Sequence, residues 1–266
     1  MTEPGKNLCI LISNDDGIHA RGLEIAERIA RTLSDDIWIV APETEQSGAS
    51  HSLTLTLPLR IRQVNERKFA VQGTPTDSVM MGVLHIMKHH KPDLVISGVN
   101  HGFNVADDVT YSGTVAAAIE GTVLGIPSIA LSQSFDRDEE EPHWDCAQTH
   151  GPGIVKRLIE TGWPQGVLMN VNFPARRADQ VTRLAITLQG QRDQSMLRVD
   201  ERVDARGHTY FWIGFKRIFS DPPAGTDLRA MMEGEISVTP LHLDFTEMRE
   251  RERLAKLLDG PLDGVK

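Results

Sequence analysis

The sequence predicts an α/β fold, a mostly parallel sheet flanked by helices, and three observations favour it. Short apolar runs rich in β-branched residues recur along the first half of the chain. Stretches with helical character separate these runs, which is the rhythm of repeated βαβ units. A run such as LVISG is apolar without alternation, as expected for a parallel strand that is covered on both faces.

The individual elements follow from these patterns. Strands are predicted at 8–12, 37–40, 94–97 and 128–131, and helices near 21–33, 76–90 and 113–124. Residues 53–64, LTLTLPLRIRQV, alternate instead, and with KFAVQ they predict a hairpin added to the sheet. Pro58 favours an edge position for this hairpin, because proline cannot donate to a strand ladder.

The character of the chain changes beyond Gly166. GVLMNVNFP predicts another core strand, whereas RLAITLQG, HTYFWIGF and EISVTPL are extended pieces between polar segments. TEMRERERLAKLLD predicts a charged C-terminal helix. We therefore expect a catalytic core at 1–175 and, within the same structural unit, a β-rich extension with a C-terminal helix at 176–266. The aromatic cluster of HTYFWIGF indicates that this extension takes part in oligomerisation.

Composition excludes several classes of function. The chain has 266 residues and a formal net charge of −9, which opposes binding to long nucleic acid. The two cysteines, Cys9 and Cys146, are too few for a disulfide framework and are interpreted as core residues of a cytoplasmic protein. His90 ends a predicted helix, where a cation suits the helix dipole. The N-terminus has no leader pattern, and no apolar stretch approaches membrane-spanning length.

Oxygen-bearing side chains follow three of the predicted strands. Asp15 and Asp16 come after the first strand, Ser47 after the second, and Asn100 and Asn104 after the third. Ligands of open α/β sheets bind beyond the carboxyl ends of the strands, so these side chains are candidates for one site. Carboxylate, hydroxyl and amide oxygens suit a hard divalent ion such as Mg²⁺ or Mn²⁺, rather than a structural zinc ion.

The third of these segments continues into a helix that opens with Ser112, Gly113 and Thr114. Free backbone N–H groups and the helix dipole favour an anion there. A cation bound by the acid pair would let a phosphate approach, so the combination predicts phosphoryl chemistry. Each motif alone also has a structural interpretation, since Asn14 to Gly17 is a typical turn and Ser112 a typical helix cap.

The motifs ISNDDGIHARGLEIA, APETEQSGASHSLTL, GTPTDSV, ISGVNHGFNVADDVTYSGTVAAAIEG and GIPSIALS together resemble the SurE family of survival-protein nucleotidases. They cover residues 8–134, and the weaker motifs NVNFP and TDLRAMMEGEISVTPL extend the similarity towards the C-terminus. The resemblance implies a Rossmann-like core with a β-rich extension used in dimer or tetramer assembly. It also implies metal-dependent hydrolysis of nucleoside 5′- and 3′-monophosphates, with one divalent ion per subunit.

The same resemblance implies roles for individual residues. Metal ligands fall on Asp15, Asp16, Ser47 and Asn100, the first two being catalytic, and phosphate-binding positions fall on Asn104, Ser112, Gly113 and Thr114. Ala106 stands where many members have glycine, so a requirement for positive φ would strain this loop.

Three other interpretations of the chain stay open. An aspartyl-phosphate-forming phosphatase would place its second acid two residues after the nucleophile, and a phosphorylation-receiver module would need an aspartate at the third strand tip. A non-catalytic nucleotide sensor would bind a monophosphate without turnover.

Overall fold

The computed structural model describes residues 8–136, 143–192, 197–215 and 221–260. Within these ranges nine strands form one sheet in the order β3-β4-β2-β1-β5-β6-β7-β11-β8. The six central strands, from β4 to β7, run parallel, while β3 and β11 pair antiparallel with their neighbours β4 and β7. The strands of this sheet are β1 Ile10–Ser13, β2 Ile37–Pro42, β3 Ile61–Asn65, β4 Lys68–Val71, β5 Leu94–His101, β6 Ser128–Gln133, β7 Val167–Phe173, β8 Leu184–Ile186 and β11 Ile236–His242.

Helices cover both faces of the sheet. One buried cluster joins alternate strand residues such as Ile10 and Ile12 to α1 and α4, and a second joins Cys9 and Leu11 to α2 and α3. This alternation follows from the two-residue period of a strand. The helices are α1 Arg21–Arg31, α2 Pro75–Met81, α3 Gly113–Val123, α4 Asp145–Thr161, α5 Asp227–Glu233 and α6 Met248–Leu258.

The predicted α/β fold is confirmed, and two elements differ in extent. The helix predicted at 76–90 is α2 only to Met81 and then becomes a π-helical turn, Gly82–Ile86. The alternating segment at 53–64 forms a strand only from Ile61, and near its start Thr54 donates its backbone N–H and its hydroxyl to Asp77 of α2. The hairpin β3–β4 nevertheless lies at the sheet edge, as Pro58 indicated.

The second half contributes to the main sheet and also forms a separate hairpin. β7, β11 and β8 extend the sheet, whereas β9 Leu197–Val203 and β10 Thr209–Phe215 pair only with each other. Among the helices that the structure describes, none combines the length and the hydropathy of a membrane-spanning segment.

The direction of the central strands positions the candidate site. β2 lies on one side of β1 and β5 on the other, so the chain changes direction of winding at β1. A crevice is expected beyond the carboxyl ends of β1 and β5.

Candidate active site

Asp15 and Asp16 form a tight acid pair directly beyond β1. The turn that carries them is closed by Asn14, whose Nδ2 donates to the Gly17 carbonyl at 3.0 Å. Asp15 is buried and Asp16 is partly buried. The Asp15 carboxylate therefore has little access to water, and the adjacent Asp16 has more.

The N-terminus of α3 packs directly on Asp15. The Thr114 hydroxyl donates to Asp15 Oδ1 at 2.5 Å, although 99 positions separate the two residues. A Cβ atom on Gly113 would lie 2.7 Å from the Asp15 Cβ, so the helix approaches this closely only because residue 113 is glycine. The predicted anion site and the predicted acid pair are therefore in direct contact.

The tip of β5 is bonded to the second acid. The backbone N–H of His101 donates to Asp16 Oδ2 at 3.2 Å, which places the neighbouring Asn100 beside the acid pair. Asn100 Nδ2 donates to the Gly102 carbonyl at 2.9 Å. That bond uses the nitrogen of the amide and leaves its oxygen as the atom suited to a cation.

The loop after β2 is also attached to the acid pair. The Gln46 N–H donates to the main-chain oxygen of Asp15 at 2.8 Å. Ser47, the next residue, is exposed and donates its hydroxyl to Glu45 at 2.8 Å. Three strand tips and one helix end thus meet around Asp15 and Asp16, as the sequence predicted.

The acid pair is electrostatically unbalanced. Burial raises the pKa of the Asp15 carboxyl to about 6, Asp16 adds to the rise, and the Thr114 hydroxyl opposes it. Burial is also the main cause of the raised pKa of Asp16, which the His101 N–H opposes and Glu45 increases. Among the described residues, no Lys or Arg forms an ion pair with either carboxylate.

This environment fits a hard cation. The donor atoms at the site are oxygens, and a divalent ion would neutralise the two carboxylates, whose charged forms are disfavoured mainly by burial. The buried Asn14 Oδ1 at the same tip has no hydrogen-bond partner within the described chain. The residues present are therefore suited to Mg²⁺ or Mn²⁺.

Two of the candidate phosphate-binding residues, Ser112 and Asn104, are hydrogen-bonded to other residues of the protein. Ser112 Oγ accepts from the Val115 N–H at 3.0 Å and caps α3. Asn104 is buried and donates from Nδ2 to Ser132 at 2.9 Å and from its main chain to Asn172 at 2.8 Å. Asn104 is thereby fixed to the tips of β6 and β7 rather than to the acid pair.

The loop between Asn104 and α3 depends on residues from the second half of the chain. Ala106 has φ +52, so this alanine adopts the left-handed conformation that glycine favours. The buried Asp227 accepts the Ala106 N–H at 2.9 Å, and Gln189 donates to the Ala106 carbonyl at 2.9 Å. Arg192 forms an ion pair with Asp108 of the same loop.

The residues that hold this loop in place were not identified from the sequence. A signal was present for Asn172 and Asn170, since two amides in the apolar run GVLMNVNFP are unusual for a core strand. Both donate to the main-chain oxygen of Asn104, at 3.1 and 2.8 Å. Asp227 lies at the start of a short helix and carried no comparable signal.

A second possible metal site lies elsewhere in the molecule. Cys9, Asp36 and His90 bring one ligand atom each to within 4.8 Å of one another. They precede β1, β2 and β5, so they lie at the amino ends of the strands, away from the acid pair.

Comparisons with known proteins give a consistent result. The family model described as survival protein SurE matches residues 10–196. A protein named 5′-nucleotidase SurE from Parvibaculum lavamentivorans is 57% identical over 250 residues, covering 94% of this chain and 90% of its own. One of the same name from Caulobacter vibrioides is 56% identical over 253 residues, covering 94% and 96%. The crystal structure of the SurE protein from Aquifex aeolicus superimposes with a TM-score of 0.81 at 37% identity, covering 93% of this chain and 98% of that one.

Proposed function

This chain belongs to the SurE family, and from that membership we propose how its site at the strand tips works. The protein is a nucleotide phosphohydrolase of the 5′-nucleotidase type. The acid pair supports this location for the reaction: Asp15 is buried against the N-terminus of α3, Asp16 is partly buried, and neither has a Lys or Arg partner among the described residues.

We place one divalent ion, Mg²⁺ or Mn²⁺, on Asp15, Asp16, Ser47 and Asn100. When bound, such an ion neutralises charge on the phosphate and lowers the pKa of a water molecule. Asp15 is held in position by Thr114, and Asp16 by the His101 N–H. These bonds fix the carboxylate oxygens before a substrate arrives, which reduces the reorganisation needed during the reaction.

The phosphate is assigned to the N-terminus of α3. Backbone N–H groups at Gly113 and Thr114 are donors of the kind that bind phosphate oxygens at helix ends. We assign Asn104 as a further phosphate ligand, and its bonds to Ser132 and Asn172 hold it in position. Ser112 supports the site by capping the helix.

Substrate and assembly follow from the same proposal. Nucleoside 5′-monophosphates are the expected substrates, with 3′-monophosphates also accepted. The subunit is expected to form a homodimer or homotetramer in the cytoplasm, with residues 176–266 as the assembly region. Long nucleic acid and membranes are not expected partners of a chain with a net charge of −9.

Phosphate release from a panel of 5′- and 3′-mononucleotides and simple phosphoesters tests the function. The protein is first stripped with a chelator, and Mg²⁺, Mn²⁺ or Zn²⁺ is then added back separately. We expect no release from stripped protein and better recovery with Mg²⁺ or Mn²⁺ than with Zn²⁺, because the proposed ligands are oxygens. Binding of mononucleotides without release would indicate a sensor, and a trapped phosphoenzyme would indicate the aspartyl-phosphate route.

A further inference from the structure

Three side chains with metal-binding atoms meet at the amino ends of the central strands, whereas the acid pair lies at their carboxyl ends. Cys9, Asp36 and His90 stand immediately before β1, before β2 and shortly before β5, and their ligand atoms lie within 4.8 Å of one another. The length of β1 separates this cluster from Asp15, about 13 Å for four residues of strand. The cluster is therefore too far from the proposed active site to share an ion with it.

The donor set of this cluster differs in kind from that of the active site. A thiolate, an imidazole and a carboxylate are typical ligands of Zn²⁺, and Co²⁺ can replace zinc in such a set. Mg²⁺ and Mn²⁺ prefer oxygen ligands and would not compete well for the sulfur. One cluster of candidate ligands therefore consists of oxygens and the other of sulfur, nitrogen and oxygen, and they lie at opposite ends of the same strands.

Neighbouring groups orient the carboxylate of Asp36. Its Oδ1 accepts from Arg67 at 2.8 Å and from the Trp38 indole at 3.2 Å. The other oxygen, Oδ2, lies 2.6 Å from His90 Nε2. Partners of this kind fix the ligands of a metal site before the ion binds.

The other two candidate ligands differ in burial: Cys9 lies in the core and His90 lies at the surface. Cys9 is buried among the residues packed between the sheet and α2. The His90 side chain is 60% exposed and can rotate towards solvent. An ion can therefore enter from the His90 side and retain one water molecule as a fourth ligand.

We propose that Cys9 Sγ, Asp36 Oδ2 and His90 Nε2 form a second metal site, selective for Zn²⁺ and separate from the active site. On binding, the Cys9 S–H bond breaks, its proton passes to solvent and the sulfur binds the ion. His90 binds as the neutral imidazole and exchanges its contact with Asp36 for the ion. The site joins the starts of β1 and β2 to the segment before β5, so its role is to stabilise the fold.

Binding must overcome the protonation of the thiol. Burial, together with the nearby Asp36 and Asp93, raises the pKa of the Cys9 thiol to about 12, and the Arg67 guanidinium opposes part of this rise. Because metal and proton compete for the sulfur, the apparent affinity should increase with pH across the neutral range.

Titration of the full chain with Co²⁺, in the presence of excess Mg²⁺ to fill the oxygen site, tests the proposal. A thiolate ligand gives an intense near-ultraviolet charge-transfer band with Co²⁺, and only two cysteines can produce it. We expect the band in the wild type and in Cys146→Ser, and its loss in Cys9→Ser. His90→Gln should weaken Co²⁺ binding at least about tenfold.

The exposed position of His90 keeps the test decisive even if Cys9→Ser does not fold. With Mg²⁺ in excess, Zn²⁺ should raise the Tm of the wild type and of Cys146→Ser, and at the same Zn²⁺ concentration it should raise that of His90→Gln less; phosphate release by His90→Gln with Mg²⁺ should remain unchanged. Three results would overturn the proposal: no charge-transfer band in the wild type, a band that persists in Cys9→Ser, or equal Co²⁺ affinity in His90→Gln. If the protein released no phosphate it could still show the charge-transfer band, so the two proposals are tested independently.

Discussion

Asp15 is the residue at which most contacts of the candidate site meet. Its main-chain oxygen accepts from Gln46, its carboxylate accepts from Thr114, and Gly113 packs against its Cβ. The sequence predicted that these segments converge, because each follows a strand of a parallel sheet. It could not predict that the Thr114 hydroxyl, a phosphate-site candidate, bonds to Asp15. That contact depends on how closely α3 approaches β1.

The close approach at Gly113 leads to a prediction. In Gly113→Ala the new Cβ would stand 2.7 Å from the Asp15 Cβ, so helix and acid pair must separate. We expect a loss of about 1–3 kcal/mol of stability and a clear fall in kcat/KM. Gly153→Ala is the matched control, since a Cβ there meets nothing within 4 Å and alanine favours a helix. Thermal unfolding and phosphate release by the two variants provide the comparison. Wild-type behaviour of Gly113→Ala would contradict the close packing.

The raised pKa of Asp15 leads to a prediction about pH. In the folded protein this carboxyl has a pKa of about 6, above its ordinary value of 3.8, so folding favours its protonated form. Its contribution to stability is therefore fully present below about pH 4 and is lost as the pH rises through about 6. A metal ion must displace this proton, so its Kd should increase about tenfold for each pH unit below about 6. Calorimetric titration of stripped protein with Mn²⁺ over this range measures the slope. A Kd that does not change between about pH 5 and 7 would count against Asp15 as a ligand.

Among the elements, the loop between β5 and α3 depends most on distant parts of the chain. Asp227 accepts the N–H groups of Ala106 and Gly190, at 2.9 and 2.8 Å, and also that of Leu228. We expect Asp227→Ala to lose about 2–4 kcal/mol of stability, because these buried donors would lack an acceptor. Activity should fall with it, since the loop leads into α3.

The neighbouring acid Asp221 supplies the control for this change. It pairs with Arg229 but is 87% exposed, so Asp221→Ala should cost less than about 1 kcal/mol. Urea unfolding of both variants measures the difference. Equal stability of the two would show that Asp227 does not support the loop.

The limits of sequence-based prediction are also visible in the elements. The strands β1, β2, β5 and β6 and the helices α1 and α3 were predicted correctly because their apolar periodicity is strong. α4 was not predicted, because Gly151, Pro152 and Gly153 interrupt its helical pattern. The bond between Ala106 and Asp227 joins residues 121 positions apart, and no local pattern encodes such a contact. The unusual conformation of Ala106 did have a local signal, since many family members have glycine at this position; the observed φ of +52 lies in the region that glycine favours.

For the whole molecule, the hairpin β9–β10 indicates assembly. Val199, Phe211, Trp212 and Ile213 are each at least 59% exposed in the described chain, and they include residues on both faces of the hairpin. An isolated two-stranded hairpin is only marginally stable in water, so apolar side chains of this kind favour a partner. We propose a second copy of the same chain, as expected for residues 176–266.

Sedimentation at micromolar concentration tests this assembly. The wild type should sediment as a multiple of the chain mass, whereas Ile213→Glu should shift towards the monomer because a charge would be buried at the interface. Val123→Glu introduces the same charge at an exposed apolar residue of α3 and should leave the mass unchanged. A monomeric wild type would rule out the proposed assembly.

The central claim is that the acid pair holds the divalent ion needed for phosphate release. Asp16→Asn keeps the size of the side chain and removes its charge, so metal should bind more weakly and kcat/KM should fall at least about 100-fold. Asp35→Asn removes one charge at an exposed position before β2 and serves as the control. The decisive measurement is phosphate release from a nucleoside 5′-monophosphate by both variants and the wild type across a Mn²⁺ titration. We predict that only Asp16→Asn loses activity and that excess Mn²⁺ restores it in part; normal turnover with normal Mn²⁺ dependence in Asp16→Asn would contradict the account.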